Sequence, residues 1–328
     1  MGLAISLLFG RIQMAIMVTG GAGFIGSQLV DELLAKGDEV RVLDDFSSGR
    51  MEFVAPHKDD KRFKLAKVDI RDLSAIKKLF KDCDTVYHLA ANPDARRGIT
   101  NTRLDLELET EATYNVLESM RLSDVKEIVF SSSGTIYGET PVRPIAEDYG
   151  PVLPISLYGA GKLASEGLIS AFCGTFGLKA WIYRFANVVG PRMTHGVIFD
   201  LVNKLEKDKS ELEVLGDGTQ NKPYIHVSDC ISGMFFGKKA SQDQLNVLNL
   251  GVESTTAVSE IAEKIISEMG LRDCRIRYSG SERGWPGDVP QFRFDVKKMT
   301  KLGWKVKYSS GQAVAKAIRE LLDERKRK

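Results

Sequence analysis

The segment "LYGAGKLASE", Leu157 to Glu166, sets Tyr158 and Lys162 four positions apart with only small residues between them. A free phenol ionises near pH 10, so unaided it is a poor base at neutral pH. On a helix, positions i and i+4 share a face, so the ammonium can sit close to the phenol or to whatever the phenol touches. The spacing alone does not decide the matter, because it equally describes a solvated surface pair. Ser133 stands in a serine-rich turn, "FSSSGTIYG", with Ser132 and Thr135 beside it. A serine-rich turn can be plain backbone capping.

A second constellation lies near the start of the chain. In "VTGGAGFIGSQLVDELL" the glycines follow a strand-like run and open a helix-like one. Gly20 permits a tight turn, Gly23 lets the backbone approach a pyrophosphate, and Gly26 lets helix pack closely on sheet. Phe24 and Ile25 complete this turn, where helix N-terminal amides would face the anion. The spacing is G-x-x-G-x-x-G, not the commoner G-x-G-x-x-G. Asp44 closes "VRVLDD", twenty-four positions after Gly20. A carboxylate there can accept hydrogen bonds from an adenosine ribose and repels a 2′-phosphate, which favours NAD over NADP. Asp69 and Ile70, in "VDIRD", read equally as neighbours of the adenine and as a capped loop.

These side chains need a rigid frame. Strand-like runs recur at Ala15–Thr19, Glu39–Leu43, Phe63–Val68, Thr85–Leu89 and Glu127–Ser131, with helix-like segments between them at Ile25–Lys36, Ser74–Phe80 and Glu109–Leu122. Alternation of this kind predicts βαβ units and a parallel α/β sheet covered on both faces. Beyond about residue 190 the pattern loosens into charged helices (Ile198–Lys209, Ala257–Met269, Gly311–Arg325) and loops such as "LGDGTQNKPY" and "SERGWPGDVP". The expected division is a cofactor domain over 14–188, with segments around 224–248 returning to it, and a smaller mixed α/β substrate domain over 189–328.

Composition narrows the function. The 328 residues, 43% hydrophobic, are enough for a large core and about two domains. Forty-six basic against 44 acidic residues leave a net charge of +2, which gives no reason to expect nucleic acid. Cys83, Cys173, Cys230 and Cys274 lie far apart without metal-ligand spacing, as expected of reduced core thiols in a cytoplasmic protein with no metal. The apolar run Leu3–Phe9 is shorter than the ~20 residues of a membrane span, and no basic leader or cleavage site accompanies it. "MAIMVTGG" already reads as a first strand, so Met14 is the expected natural start. Residues 1–13 would then be an upstream extension, with an amphipathic arm as the alternative.

Six motifs in register, TGGAGFIG, "HLAA" (88–91), "FSSSGTIYG" (130–138), "YGAGK" (158–162), "RFANVVGPR" (184–192) and "RGWPGDVP" (283–290), closely resemble the extended short-chain dehydrogenase/reductase superfamily. Within it the chain is most similar to nucleotide-sugar epimerases of the UDP-glucose 4-epimerase type, from Met14 to the "LGW" at 302–304. The resemblance implies a Rossmann-type doubly wound sheet and a bound, internally recycled NAD. It also implies that Tyr158 is the base, that Lys162 lowers its pKa and hydrogen-bonds the nicotinamide ribose, and that Ser133 orients the sugar oxygen. Asn187, Arg192, Lys222, Arg283 and Asp288 would bind the nucleotide diphosphate half of a UDP-sugar.

The chain departs from that pattern in places. Lys222 stands where an arginine is common, Trp285 replaces the arginine of "RPGD", and Glu109 takes the place of an asparagine. Related dehydratases carry an acidic pair after the active-site hydroxyl, where this chain has Gly134 and Thr135, so dehydration is not expected. Phe292 aligns with a position whose bulk excludes N-acetylated sugars, which favours UDP-galactose and UDP-glucose. Helices around Glu107–Arg121 and Tyr158 would form a homodimer, with Leu104, Leu108, Ala112 and Val116 on one face; core packing explains these four equally well.

Overall fold

The computed structural model describes residues 14–327. The expectations for residues 1–13 lie outside them. Seven short, largely apolar runs form one sheet: β1 (Ala15–Thr19), β2 (Val40–Asp44), β3 (Phe63–Lys67), β4 (Cys83–His88), β5 (Glu127–Ser133), β6 (Lys179–Phe185) and β7 (Leu245–Leu250). All pair in parallel, in the order β7-β6-β5-β4-β1-β2-β3. Central strands are buried on both faces, which is why they read as continuous apolar runs and not as alternating ones. The strand order reverses at β1, where Thr19 stands between Leu43 of β2 and His88 of β4. A doubly wound sheet opens its crevice at such a point.

The main helices are α1 (Phe24–Ala35), α2 (Ala112–Leu122), α3 (Leu157–Phe176), α4 (Val197–Lys207), α5 (Val227–Ala240), α6 (Val258–Glu268) and α7 (Ser310–Lys326). Met17, Val86, Ile128 and Phe130 face one way, against Val116, Met120, Ile169 and Phe172 of α2 and α3. Val18, Val42 and Val129 face the other way, in a core that runs on through α4, α6 and α7. Three two-stranded pairs outside the sheet hold the later loops: Asn187–Val189 with Tyr224–His226, Asn221–Lys222 with Thr256–Ala257, and Glu211–Val214 with Arg275–Tyr278. Among the described residues, no helix is long and apolar enough to cross a membrane.

Two expected helices differ. Ser74–Phe80 is a single turn, Leu73–Ile76, capped by the Asp72 carboxylate on the Ala75 amide, and the chain must then turn back at Asp82 (φ 61°) to enter β4. The expected helix Glu109–Leu122 begins inside a π-helical stretch, Leu106–Glu111, and is α-helical only from Ala112. There the Glu109 carbonyl accepts hydrogen bonds from the hydroxyls of Thr113 and Ser165, which draws it out of the α ladder. On this segment Leu104, Ala112 and Val116 are buried within the chain, so they belong to its own core and not to a free helix face.

Candidate active site

The glycine turn joins β1 to α1. Gly20 has φ +69°, and a Cβ on it would lie 2.7 Å from the Ala90 amide nitrogen. A Cβ on Gly26 would sit 2.1 Å from the Gly20 carbonyl oxygen, so any larger residue would push helix from turn. Gly23 caps α1 without a side chain and leaves the helix N-terminus open. At the end of β2, Asp44 is 7% exposed; its two carboxylate oxygens accept from the amides of Ala22 (2.8 Å) and Phe46 (2.9 Å). Burial pushes its pKa up, and the two amide donors oppose that shift.

Ser133 ends β5, and Tyr158 and Lys162 lie in the first turns of α3. The Ser156 hydroxyl caps that helix by accepting from the Gly159 amide at 3.1 Å. The Ser133 hydroxyl is close enough to the Tyr158 phenol to oppose part of the rise that burial causes in its pKa. Thr135 donates to the Ser133 oxygen from its amide (3.2 Å) and its hydroxyl (3.0 Å). Lys162 Nζ lies 5.7 Å from the Tyr158 ring centre and 4.9 Å from that of Phe130. Burial pushes the Tyr158 pKa well above its ordinary value, and the carboxylates of Glu109 and Asp105 add to the rise. His88 is enclosed between the hydroxyls of Thr19 (2.7 Å) and Thr113 (3.0 Å); burial, and next the Lys162 charge, lower its pKa to about 3. It is neutral at working pH.

Ser133, Thr135, Tyr158 and Lys162 line one cavity of about 790 Å³. The cavity brings together Gly20, Gly23, Phe24, Ile25, Gly26, Asp44, Asp69 and Ile70 with Ser133, Tyr158, Lys162, Asn187, Lys222 and Asp288. The Asn115 amide holds the turn at Ile70 by donating to the carbonyls of Ile70 (3.1 Å) and Arg71 (2.7 Å). The Asp69 pKa is lowered, chiefly by its hydrogen bond to the Arg71 guanidinium. A glycine turn against an open helix end, with a buried carboxylate one strand away, fits a dinucleotide.

Two expected residues are directed elsewhere: neither Arg192 nor Arg283 lines the cavity. Arg192 pairs with Asp31 of α1 at 2.8 Å, while Arg283 pairs with Glu139 at 2.7 Å and donates to the Asp288 carbonyl. Lys222 does line the cavity, but its ammonium is paired with the Asp288 carboxylate. Phe292 also lies outside the wall: it is buried against Tyr137 and Phe294 behind Gly134. Trp285 lines the cavity instead. Arg96, Arg97, His195 and Lys204, which sequence reasoning missed, also line it and belong to none of the recognised motifs.

Known proteins match this arrangement along nearly its whole length. A putative UDP-glucose 4-epimerase of Methanocaldococcus jannaschii is 32% identical over 309 residues, covering 92% of this chain and 97% of that protein. A crystal structure of a UDP-galactose 4-epimerase is 38% identical, with a TM-score of 0.86 over 95% of this chain and 99% of that one. The Thermus thermophilus UDP-glucose 4-epimerase in complex with NAD is 29% identical, with a TM-score of 0.83 over 94% and 98% of the two chains. The family model for the NAD dependent epimerase/dehydratase family matches residues 16–251, so the chain belongs to that family and NAD is its cofactor.

Proposed function

We propose that the protein interconverts UDP-galactose and UDP-glucose at C4 through a transient 4-keto sugar. The observation that carries this reading is the convergence of Ser133, Tyr158 and Lys162 on the cavity that also holds the glycine turn and Asp44. NAD, when bound, accepts the C4 hydride and returns it. Lys162, together with the positive nicotinamide when NAD is bound, would offset the effect of burial and stabilise the Tyr158 phenolate. The phenolate takes the proton of the C4 hydroxyl while Ser133 donates a hydrogen bond to that oxygen as it becomes a ketone. The sugar then turns within the cavity to present the opposite face of C4, and Tyr158 gives the proton back. Gly134 and Thr135 supply no carboxyl for eliminating water.

In this reading residues 14–188 hold the cofactor and 189–328 the nucleotide sugar, and the cavity draws its walls from both stretches. Asn187 and Lys222 bind the diphosphate, with Asp288 holding Lys222 in place; Arg192 and Arg283, tied up in ion pairs, support the fold. The protein would work in the cytoplasm as a homodimer, and its four free cysteines suit a reducing compartment.

A second reading, epimerisation of UDP-glucuronate, is favoured by Arg97. That side chain lines the cavity, forms no salt bridge among the described residues, and sits on a turn (Arg97–Thr100) packed against the start of α3. A cation there suits a sugar carboxylate.

The test incubates the purified protein with UDP-galactose, without and with added NAD, and follows UDP-glucose by chromatography. Product without accumulated NADH supports the first reading. Tyr158→Phe should then lower turnover by about 10²–10⁴-fold while NAD stays bound. Unchanged behaviour of that variant would point to a binding module. No product from UDP-galactose with NAD bound, and conversion of UDP-glucuronate, would favour the second reading. UDP-N-acetylglucosamine and GDP or dTDP sugars follow in turn.

A further inference from the structure

Glu109 is among the most enclosed charged groups in the protein. Its carboxylate pairs with Lys162 Nζ at 2.8 Å, and both side chains are 1% exposed. The other oxygen accepts the Asn92 amide at 2.8 Å. A second buried carboxylate, Asp105, lies four positions earlier; one oxygen accepts from the Asn92 side chain at 2.8 Å, and the other has no hydrogen-bond partner. Helix α3 comes close enough here that a Cβ on Gly161 would meet Glu109 Cβ at 2.7 Å and the Asp105 carbonyl at 2.9 Å. The π-helical stretch carries Glu109 inward, where its carboxylate reaches the lysine without itself lining the cavity.

We infer that Glu109, backed by Asp105, is a positioning residue that fixes the Lys162 ammonium by a buried ion pair and offsets its charge at the Tyr158 phenol. The charged and titratable groups around the pair come from four elements. Tyr158 and Lys162 stand on α3, Asp105 and Glu109 on the segment before α2, and neutral His88 on β4. Arg97, on its one-turn helix, reaches Asp105 electrostatically. One ammonium faces two carboxylates, so Lys162 cannot lend its full charge to the phenol. Burial and then Lys162 act in opposite directions on Glu109, and burial prevails in raising its pKa. The sign at Tyr158 follows: negative charge behind the lysine disfavours phenolate, and removing it makes the base ionise at lower pH.

The experiment titrates Tyr158 in the NAD-loaded protein by ultraviolet difference against the matching Tyr158→Phe protein, which isolates one phenolate among nine tyrosines. Glu109→Gln should lower the midpoint by about one pH unit or more, and Glu109→Asp, which keeps the charge, should stay close to the parent. The acid limb of turnover against pH should move with the phenolate midpoint. A midpoint that stays or rises in Glu109→Gln overturns the inference, as does an equal shift in Glu109→Asp. Should Glu109→Gln fail to fold, Asp105→Asn tests the same field with the same sign, and an unmoved midpoint overturns it. The inference rests on Tyr158 being the base only for its turnover limb. The titration needs no substrate, so failure of the proposed reaction and failure of this inference are separately visible.

Discussion

Asp44 binds backbone amides with both of its carboxylate oxygens and still presents lone pairs to the cavity. Its role is tested by Asp44→Asn, which keeps the shape but replaces one acceptor with a donor and removes the charge. NAD affinity should fall about tenfold or more, since a hydrogen bond to a charged group is worth roughly 1.5–3 kcal/mol. Preference over NADP should narrow as the repulsion of a 2′-phosphate is lost; calorimetric titration with both cofactors reads both effects, and an unchanged ratio would remove Asp44 from the ribose site. Asp44, Tyr158 and Lys162 were legible in the sequence because their placement follows from local geometry: a strand end, or two positions on one helix face. Arg192 and Arg283 were not, because a long side chain goes to whichever partner the fold brings near, here Asp31 and Glu139 from distant segments. The sequence offset of Phe292 from Asp288 likewise did not reveal that it packs behind Gly134.

Elements become a site through the contacts that lock them together. One face of α3 carries Glu166, which is buried and receives two hydrogen bonds from Arg184 of β6, at 2.8 and 3.0 Å. The Ser132 hydroxyl of β5 donates to the same carboxylate, and Arg184 continues to the Tyr137 hydroxyl at 2.8 Å. The helix that carries Tyr158 and Lys162 is thus tied to the strand that carries Ser133. Glu166→Ala leaves the Arg184 cation buried without its partner, a change that typically costs about 3–5 kcal/mol. The urea midpoint should fall accordingly, and turnover at low temperature should drop as well, because Ser133 and Tyr158 lose their common anchor. A loss under about 1 kcal/mol would mean that water or Glu147 replaces the carboxylate. The parallel strands were readable in advance because both their faces are apolar, whereas the π-helical register before α2 was not. That register depends on hydroxyls from Thr113 and from Ser165 on another helix, and no periodicity in the segment itself encodes it.

At the scale of the whole molecule, the order reversal at β1 sets the cavity at the carboxyl ends of the strands, and the later segments close over it. Helices α2 and α3, on the sheet face remote from α4 and α7, have their inward sides committed to the core. Their outward sides still show large apolar groups: Tyr114 is 44% exposed and Phe176 is 42% exposed, with Phe172 meeting both rings edge-on or tilted. Arg121 lies over Phe176 at 5.5 Å, so the patch combines aromatic and guanidinium surface, the composition enriched at protein interfaces. Of the residues expected to form the dimer face from apolar spacing, Leu104, Ala112 and Val116 are buried and Leu108 lines the cavity, yet the same pair of helices offers this other surface. A two-fold contact would set each patch against its own copy, since a symmetric dimer uses one surface twice. Sedimentation at micromolar concentration should therefore give a dimer, and Tyr114→Glu, which places like charges face to face across the axis, should give a folded monomer whose urea midpoint no longer depends on protein concentration. A monomeric parent protein would sink the dimer outright. A Tyr114→Glu protein that stays dimeric would move the contact to another face, and the aromatic patch would then need a different partner.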